Sequence, residues 1–223
     1  MPIYNPPLGE INAGEVRRYA GLRQSPFNPE LIQEACDEAR LLAIPRGNYE
    51  IYDYDCLTST VPGIGLMLEG ESIRRHLAGC CRIVLMTVTV GGSIEESVTV
   101  SFADGRYAYS VLLDAAATQA VEQTADAMEK EVGRLAERMG LVPRWRFSPG
   151  YGDWPLTAQR DIARYAGCEK IGVALTESLM LMPRKSVTAV VGLGVKAEDC
   201  EKKEHNCSEC SKLDCPARRA VNK

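Results

Sequence analysis

The segment RWRFSPGYGDWP, residues 144–155, gathers two arginines, both tryptophans of the chain and a Ser-Pro-Gly-Tyr run. Ser148-Pro149-Gly150-Tyr151 predicts a type II turn, because proline presets the second position and glycine accepts the positive φ of the third. Ahead of a helix, such a turn leaves backbone N–H groups facing an anionic or carbonyl group, and Arg146 can clamp a carboxylate through two parallel hydrogen bonds. Tyr151, Trp145 and Trp154 offer flat faces to a base or a cation. A ligand combining a carboxylate, a purine and a positive centre would use every one of these groups. The plainer alternative is a helix-entry turn with packed aromatics and a surface arginine, and spacing alone leaves both open.

A second group with chemical potential lies at the C-terminal end. Cys200, Cys207, Cys210 and Cys215 stand in a polar segment, AEDCEKKEHNCSECSKLDCPARRAVNK, with almost no large apolar residues and so no means of building a core unaided. Four thiolates bind zinc or an iron–sulfur cluster, and either would supply the folding energy that apolar contacts do not. The spacing matches neither a zinc ribbon nor a usual ferredoxin run, so a tail with free thiols is the competing expectation; His205 is a substitute ligand. The other five cysteines, Cys36, Cys56, Cys80, Cys81 and Cys168, are expected to be buried, inert thiols.

The elements that must position these groups follow from periodicity. Asn12 with Glu15 reads as a reciprocal helix cap, and Asn28-Pro29 starts a second helix with Leu31, Ala35, Ala39 and Leu42 on one face. NYEIYDYD (48–55) predicts a strand with Tyr49 and Ile51 on one face and Tyr52 and Tyr54 on the other. CRIVLMTVTV (81–90) predicts a buried central strand, ended by Gly91-Gly92 before a helical region. From Asp114 to Met139, Ala117, Val121, Ala125, Met128, Val132 and Leu135 recur at three- and four-residue steps, predicting one long helix stopped by Gly140. A helix over 157–166 closed by Gly167 and a strand SVTAVVGLG complete the pattern, with a mixed segment between them. The fold class expected is α+β: a twisted, mostly antiparallel sheet with packed helices, as one domain over 1–196 (N-terminal helices 12–45 included) and a Cys-rich tail over 197–223.

Composition excludes several functions. Lys+Arg of 26 against Asp+Glu of 30 provides no positive field to neutralise phosphates, which argues against nucleic acid. The N-terminus has no basic and apolar leader, and the most apolar run is too short to span a bilayer, so a cytoplasmic protein with reduced thiols is expected. A methyltransferase of the glycine-rich-loop type is disfavoured because PGIG at 62–65 lacks the rest of that pattern.

RFSPGY (146–151), the helix after it and LTESLMLMPRKSV (175–187) together resemble the AdoMet-binding activation domain of cobalamin-dependent methionine synthase. Gly91-Gly92 with IEE and LLDAAATQAVE (112–122) also resemble the region leading into that family's long helix, so the likeness covers roughly residues 80–190. The resemblance implies that Arg146 holds the carboxylate of S-adenosyl-L-methionine (AdoMet) and that Ser148, Pro149 and Gly150 bring backbone close to the ligand. It also implies that Tyr151 lines the sulfonium or adenine side and that Glu177 of LTES faces amino or hydroxyl groups; for Glu177 a structural hydrogen bond is the alternative. The implied activity is reductive methylation, the reactivation of a cobalamin (vitamin B12) in methionine biosynthesis. Nothing resembles the homocysteine, folate or cobalamin modules, so the cobalamin would be carried by a separate methionine synthase or corrinoid protein, with flavodoxin or ferredoxin as a candidate electron donor. A non-catalytic docking or electron-delivery module is the alternative. His76-x-x-Gly79 is similar to a cobalamin-ligating histidine motif, but Arg74 stands where its aspartate belongs, and His76 is expected on a helix surface.

Overall fold

Asn12 and Asn28 open the first two helices with the side-chain bonds their types predict. In the computed structural model, which describes residues 3–22 and 26–195, Asn12 Oδ1 accepts from the N–H groups of Gly14 and Glu15, and Asn28 Oδ1 from that of Glu30. Helix α1 spans Ala13–Tyr19 and α2 spans Pro29–Leu42. Glu15 does not reciprocate the cap; its carboxylate is drawn instead to Arg18, one turn on.

The chain then lays down β1 (Arg46–Asp53), the short hairpin β2 (Thr60–Val61) and β3 (Leu66–Met67), helix α3 (Glu71–His76) and β4 (Cys80–Thr89). Helices α4 (Ser93–Ala103) and α5 (Tyr107–Arg138) follow, then β5 (Val142–Pro143), α6 (Gln159–Tyr165), the hairpin β6 (Ala174–Leu175) and β7 (Leu181–Met182), and β8 (Ser186–Gly194). The main sheet has the order β1-β4-β8-β5 and every pair in it is antiparallel.

Strand β4 is buried on both faces, as its unbroken apolar run predicts. Val84, Met86 and Val88 point into a core shared with α1, α2 and α5, whereas Ile83 and Leu85 point into a second core with Phe147, Trp154 and Ile162. The tyrosines of β1 and of the residue just after it divide as expected, Tyr49 joining the first core and Tyr52 and Tyr54 the second.

Helix α5 begins seven residues earlier than the sequence periodicity suggested and runs for 32 residues, about 48 Å at ~1.5 Å per residue. Its extra turns carry buried Tyr109, Leu112 and Leu113. Gly140, at φ +69°, ends it in the left-handed region. The expected helix over 157–166 is an α-helix only from Gln159, its first turn being 3-10, and Gly167 at φ +67° stands beyond it as the stop. No helix among the described residues is long and apolar enough to cross a membrane.

Two expectations about isolated residues need correcting. Cys36, Cys80 and Cys168 are buried, but Cys56, in the turn after β1, and Cys81, at the register irregularity that opens β4, are exposed. His76 is not a surface residue: its ring lies 4.4 Å from that of Trp145 and 5.0 Å from that of Phe147.

Candidate functional site

Residues 142–147 form a strand-like edge against β8. Val142 and Pro143 pair with Gly194 and Leu193, the Arg144 N–H donates to Gly192 O at 2.7 Å, and Phe147 and Val190 exchange both backbone bonds at 2.8–2.9 Å. Extended backbone alternates its side chains. Trp145 and Phe147 therefore enter the second core, while Arg146 between them is sent to the opposite side, onto α5.

There the guanidinium meets three carboxylates. Arg146 Nη1 donates to Asp126 Oδ1 and to Glu129 Oε2, both at 2.6 Å, and Nη2 donates to Glu122 Oε2 at 2.9 Å. Glu129 also accepts the Arg146 backbone N–H at 3.0 Å. Glu122, Asp126 and Glu129 are spaced i, i+4 and i+7, one stripe along α5. The Arg146 side chain is 22% exposed. Burial by itself would lower its pKa, but the charges of Asp126, Glu122 and Glu129 outweigh that and raise it. One positive and three negative charges leave the cluster with an excess of two negatives.

The turn after Arg146 has the predicted form. Gly150 lies at φ +88°, and the Tyr151 N–H donates to Ser148 O at 3.1 Å, the closing bond of a type II turn. Pro149 is buried and Tyr151 is 45% exposed. Burial, then the Glu122 charge, push the Tyr151 phenol up against the opposing Arg146 charge and a hydrogen bond with Ser148. Tyr19 of α1 is raised by the same two influences, burial and Glu122, so both phenols sense the acidic stripe. Asp126 also borders a surface depression of about 440 Å³ lined by Tyr4, Pro7, Gln123 and Lys130.

The expected helix entrance is not beside the turn. Helix α6 starts at Gln159, and the intervening N–H groups of Gly150 and Trp154 are used locally, donating to Trp154 O and Tyr151 O. The helix the segment does cap is α3. Asp153 accepts from the N–H groups of Glu71 at 2.7 Å and Ser72 at 2.8 Å, and these bonds hold its carboxyl down at about 2. At the other end of α3, His76 Nε2 donates to Trp145 O at 2.8 Å. Burial, aided by the charge of Arg144 and opposed by that carbonyl, pushes His76 down to about 4, so the ring is neutral near pH 7.

Comparison with solved structures decides the architecture. A crystal structure of the MetH reactivation domain bound to AdoHcy (S-adenosylhomocysteine) matches this chain with a TM-score of 0.58 and 17% sequence identity, over 92% of this chain and 86% of that one. The chain has the fold of the MetH reactivation domain. No protein-family model matches the chain, and no curated protein does.

Within this reactivation fold, Arg146, Ser148, Pro149, Gly150 and Tyr151 come together, whereas Glu177 stands exposed in the turn joining β6 to β7 and forms no ion pair among the described residues. Cys200, Cys207, Cys210 and Cys215 lie outside the described residues, among which no group of three His, Cys, Asp or Glu side chains is placed to hold a metal ion. The acidic stripe, Tyr19 and Asp153 were missed by sequence reasoning, and His76 was expected on a helix surface without its partners. The i, i+4, i+7 spacing of Glu122, Asp126 and Glu129 beside the apolar face of α5 was a legible signal; nothing local pointed to Asp153 or to the partner of His76.

Proposed function

We propose that this chain binds AdoMet on the Arg146–Tyr151 segment and serves the reductive methylation of a cobalamin carried by a separate methionine synthase or corrinoid protein. The observation that carries this reading is the type II turn at 148–151, standing beside Arg146 and Tyr151 in a fold shared with an AdoHcy-bound domain. The charges suit the ligand. AdoMet has a carboxylate, an ammonium and a sulfonium; the cluster offers one guanidinium and three carboxylates, matching each centre with its opposite. When the cobalamin is bound to its own protein and reduced, it supplies the nucleophile for the AdoMet methyl group.

The contribution of this chain is positioning. Arg146 would exchange one of its acidic partners for the ligand carboxylate, and the freed carboxylate would face the cationic part of the ligand. The Pro149-Gly150 backbone would bound the site below, and Tyr151 would lie against the sulfonium or the adenine. Glu177, exposed and without an ion pair among the described residues, would be available to the nucleoside hydroxyl groups. The tail cysteines would bind zinc or an iron–sulfur cluster, the latter giving a route for electrons from a donor such as flavodoxin or ferredoxin.

One observation favours a second reading: the Arg146 guanidinium is already held by three carboxylates of the chain itself, as expected of a module that docks on a corrinoid protein or delivers electrons without using AdoMet. Calorimetry separates the two. The AdoMet-binding reading expects measurable affinity for AdoMet, weakened at least tenfold in Arg146→Ala; no heat of binding in the wild-type chain supports the docking module. Turnover of AdoMet with a reduced corrinoid protein then tests methyl transfer.

A further inference from the structure

Helix α3 is hydrogen-bonded to the 144–155 segment at both of its ends, and Ile73 between them shares a core with Phe147 and Trp154. Its first turn is capped by the Asp153 carboxylate, and its last residue, His76, reaches the Trp145 carbonyl. The Ser148–Tyr151 turn lies between these anchors. Capping from a distant part of the chain joins two segments that would otherwise move independently, and here the sequence separation is 81 and 82 residues.

The contact is close enough to require glycine on both sides. Gly152, at φ +56°, precedes Asp153, and a Cβ there would lie 2.4 Å from Ser72 Oγ and 2.7 Å from Ser72 Cβ. Gly70, at φ +125°, precedes α3, and a Cβ there would lie 3.2 Å from Trp154 Cα. Ser72 also accepts the Asp153 N–H through its hydroxyl at 3.4 Å. At the other anchor the His76 ring packs on Trp145 and Phe147, which fixes its orientation.

We propose that α3 is a brace for the ligand-binding turn, with Asp153 and His76 as its positioning residues. The proposal rests on the reading that the turn binds AdoMet. A short rigid helix holding both ends of the segment fixes the separation of residues 145 and 153, so the turn is set before a ligand arrives and less ordering remains to be done on binding. Neither residue is required to touch the ligand; each acts through the backbone of the turn.

The test compares wild type, Asp153→Ala and Asp153→Asn by calorimetry with AdoHcy and by hydrogen exchange of single amides. Asp153→Ala removes the cap, and the expected result is about tenfold weaker AdoHcy binding and about tenfold faster exchange of the Tyr151 and Trp154 amides, with α5 amides unchanged. Asp153→Asn keeps one of the two accepting oxygens but sets an NH2 against the other N–H, so both readouts should fall between those of wild type and Asp153→Ala. Gly152→Ala, which pushes the segment off Ser72, should reproduce the alanine effect by an independent route. Unchanged exchange at Tyr151 and Trp154 in Asp153→Ala would overturn the brace, as would unchanged affinity where wild type binds AdoHcy. Absence of binding by wild type with faster exchange in Asp153→Ala would instead sink the AdoMet reading and leave the brace intact.

Discussion

The two faces of the sheet are built on different principles. On one, α5 presents alanines and a few large aliphatics, Leu112, Leu113, Met128 and Val132, to Val84, Met86 and Val88, with α1 and α2 packed on its flanks. On the other, short elements and loops surround Phe147, Trp154 and Ile162, and a row of polar residues is buried: Asn48, Thr87 and Thr188 are register neighbours across three strands. The helical face depends on area, and local identity matters little beyond being apolar and of the right size. The loop face depends on particular bonds, such as Asn48 Nδ2 to Ala166 O and Cys168 Sγ to Thr87 Oγ1. The edge strand 142–147 lies between the two, and its alternation hands Arg146 to one face and Trp145 and Phe147 to the other.

The sharpest test of that contrast is a deletion on the helical face. Leu113→Ala should cost about 2–5 kcal/mol in urea unfolding, because a fully buried leucine leaves a cavity that α5 cannot close, yet it should leave the affinity for AdoHcy within about twofold. A parallel fall in affinity would mean that the faces are not separable.

The loop face should respond to acid through His76. His76 has a folded pKa of about 4 against an ordinary value of 6.5, so below 6.5 the unfolded chain takes up a proton that the folded chain refuses. Stability conferred by the neutral ring is present above pH 6.5 and is lost as pH falls to 4, by up to about 3 kcal/mol. His76→Phe should flatten that part of the stability–pH curve; an unaltered slope would show that the histidine is not desolvated in solution.

Where the faces meet, Arg146→Met should destabilise the fold by about 1–2 kcal/mol, since it leaves three carboxylates together with no cation among them. The loss is read from thermal unfolding of the two proteins side by side, and an unchanged midpoint would show that the cluster adds nothing to stability. The smallest expected effect is at the rim of the helical face: Asn12→Ala removes the α1 cap at a cost of about 1 kcal/mol, read from the unfolding midpoint. A cost near zero would indicate that packing of Val16 alone holds α1 in place.

The difference between the faces also explains which parts were legible. Helices α1, α2 and α5 and strands β1, β4 and β8 were anticipated with boundaries shifted by a few residues, because a long amphipathic or fully buried element repeats its signal many times. The hairpins β2–β3 and β6–β7 were not, and of α3 only a helix under His76 was expected, without bounds, since elements of two to six residues carry too few positions for a period to emerge. In the candidate site the turn at 148–151 was readable from Pro149 and Gly150 alone, whereas the guanidinium's partners were not, because they come from a helix 17 to 24 residues earlier.

Sequence by itself determined the features whose cause is local: the asparagine caps, the proline–glycine turn, the apolar stripe of α5 and the two-sided burial of β4. Tertiary structure alone decided that Arg146 leaves the sheet edge toward α5, that Asp153 caps a helix more than 80 residues away and that His76 is half-buried against two aromatic rings. The physical reason is range. Backbone dihedrals and hydrophobic period are properties of neighbouring residues, but a charge or a hydrogen-bond donor finds its partner only after the chain has closed on itself.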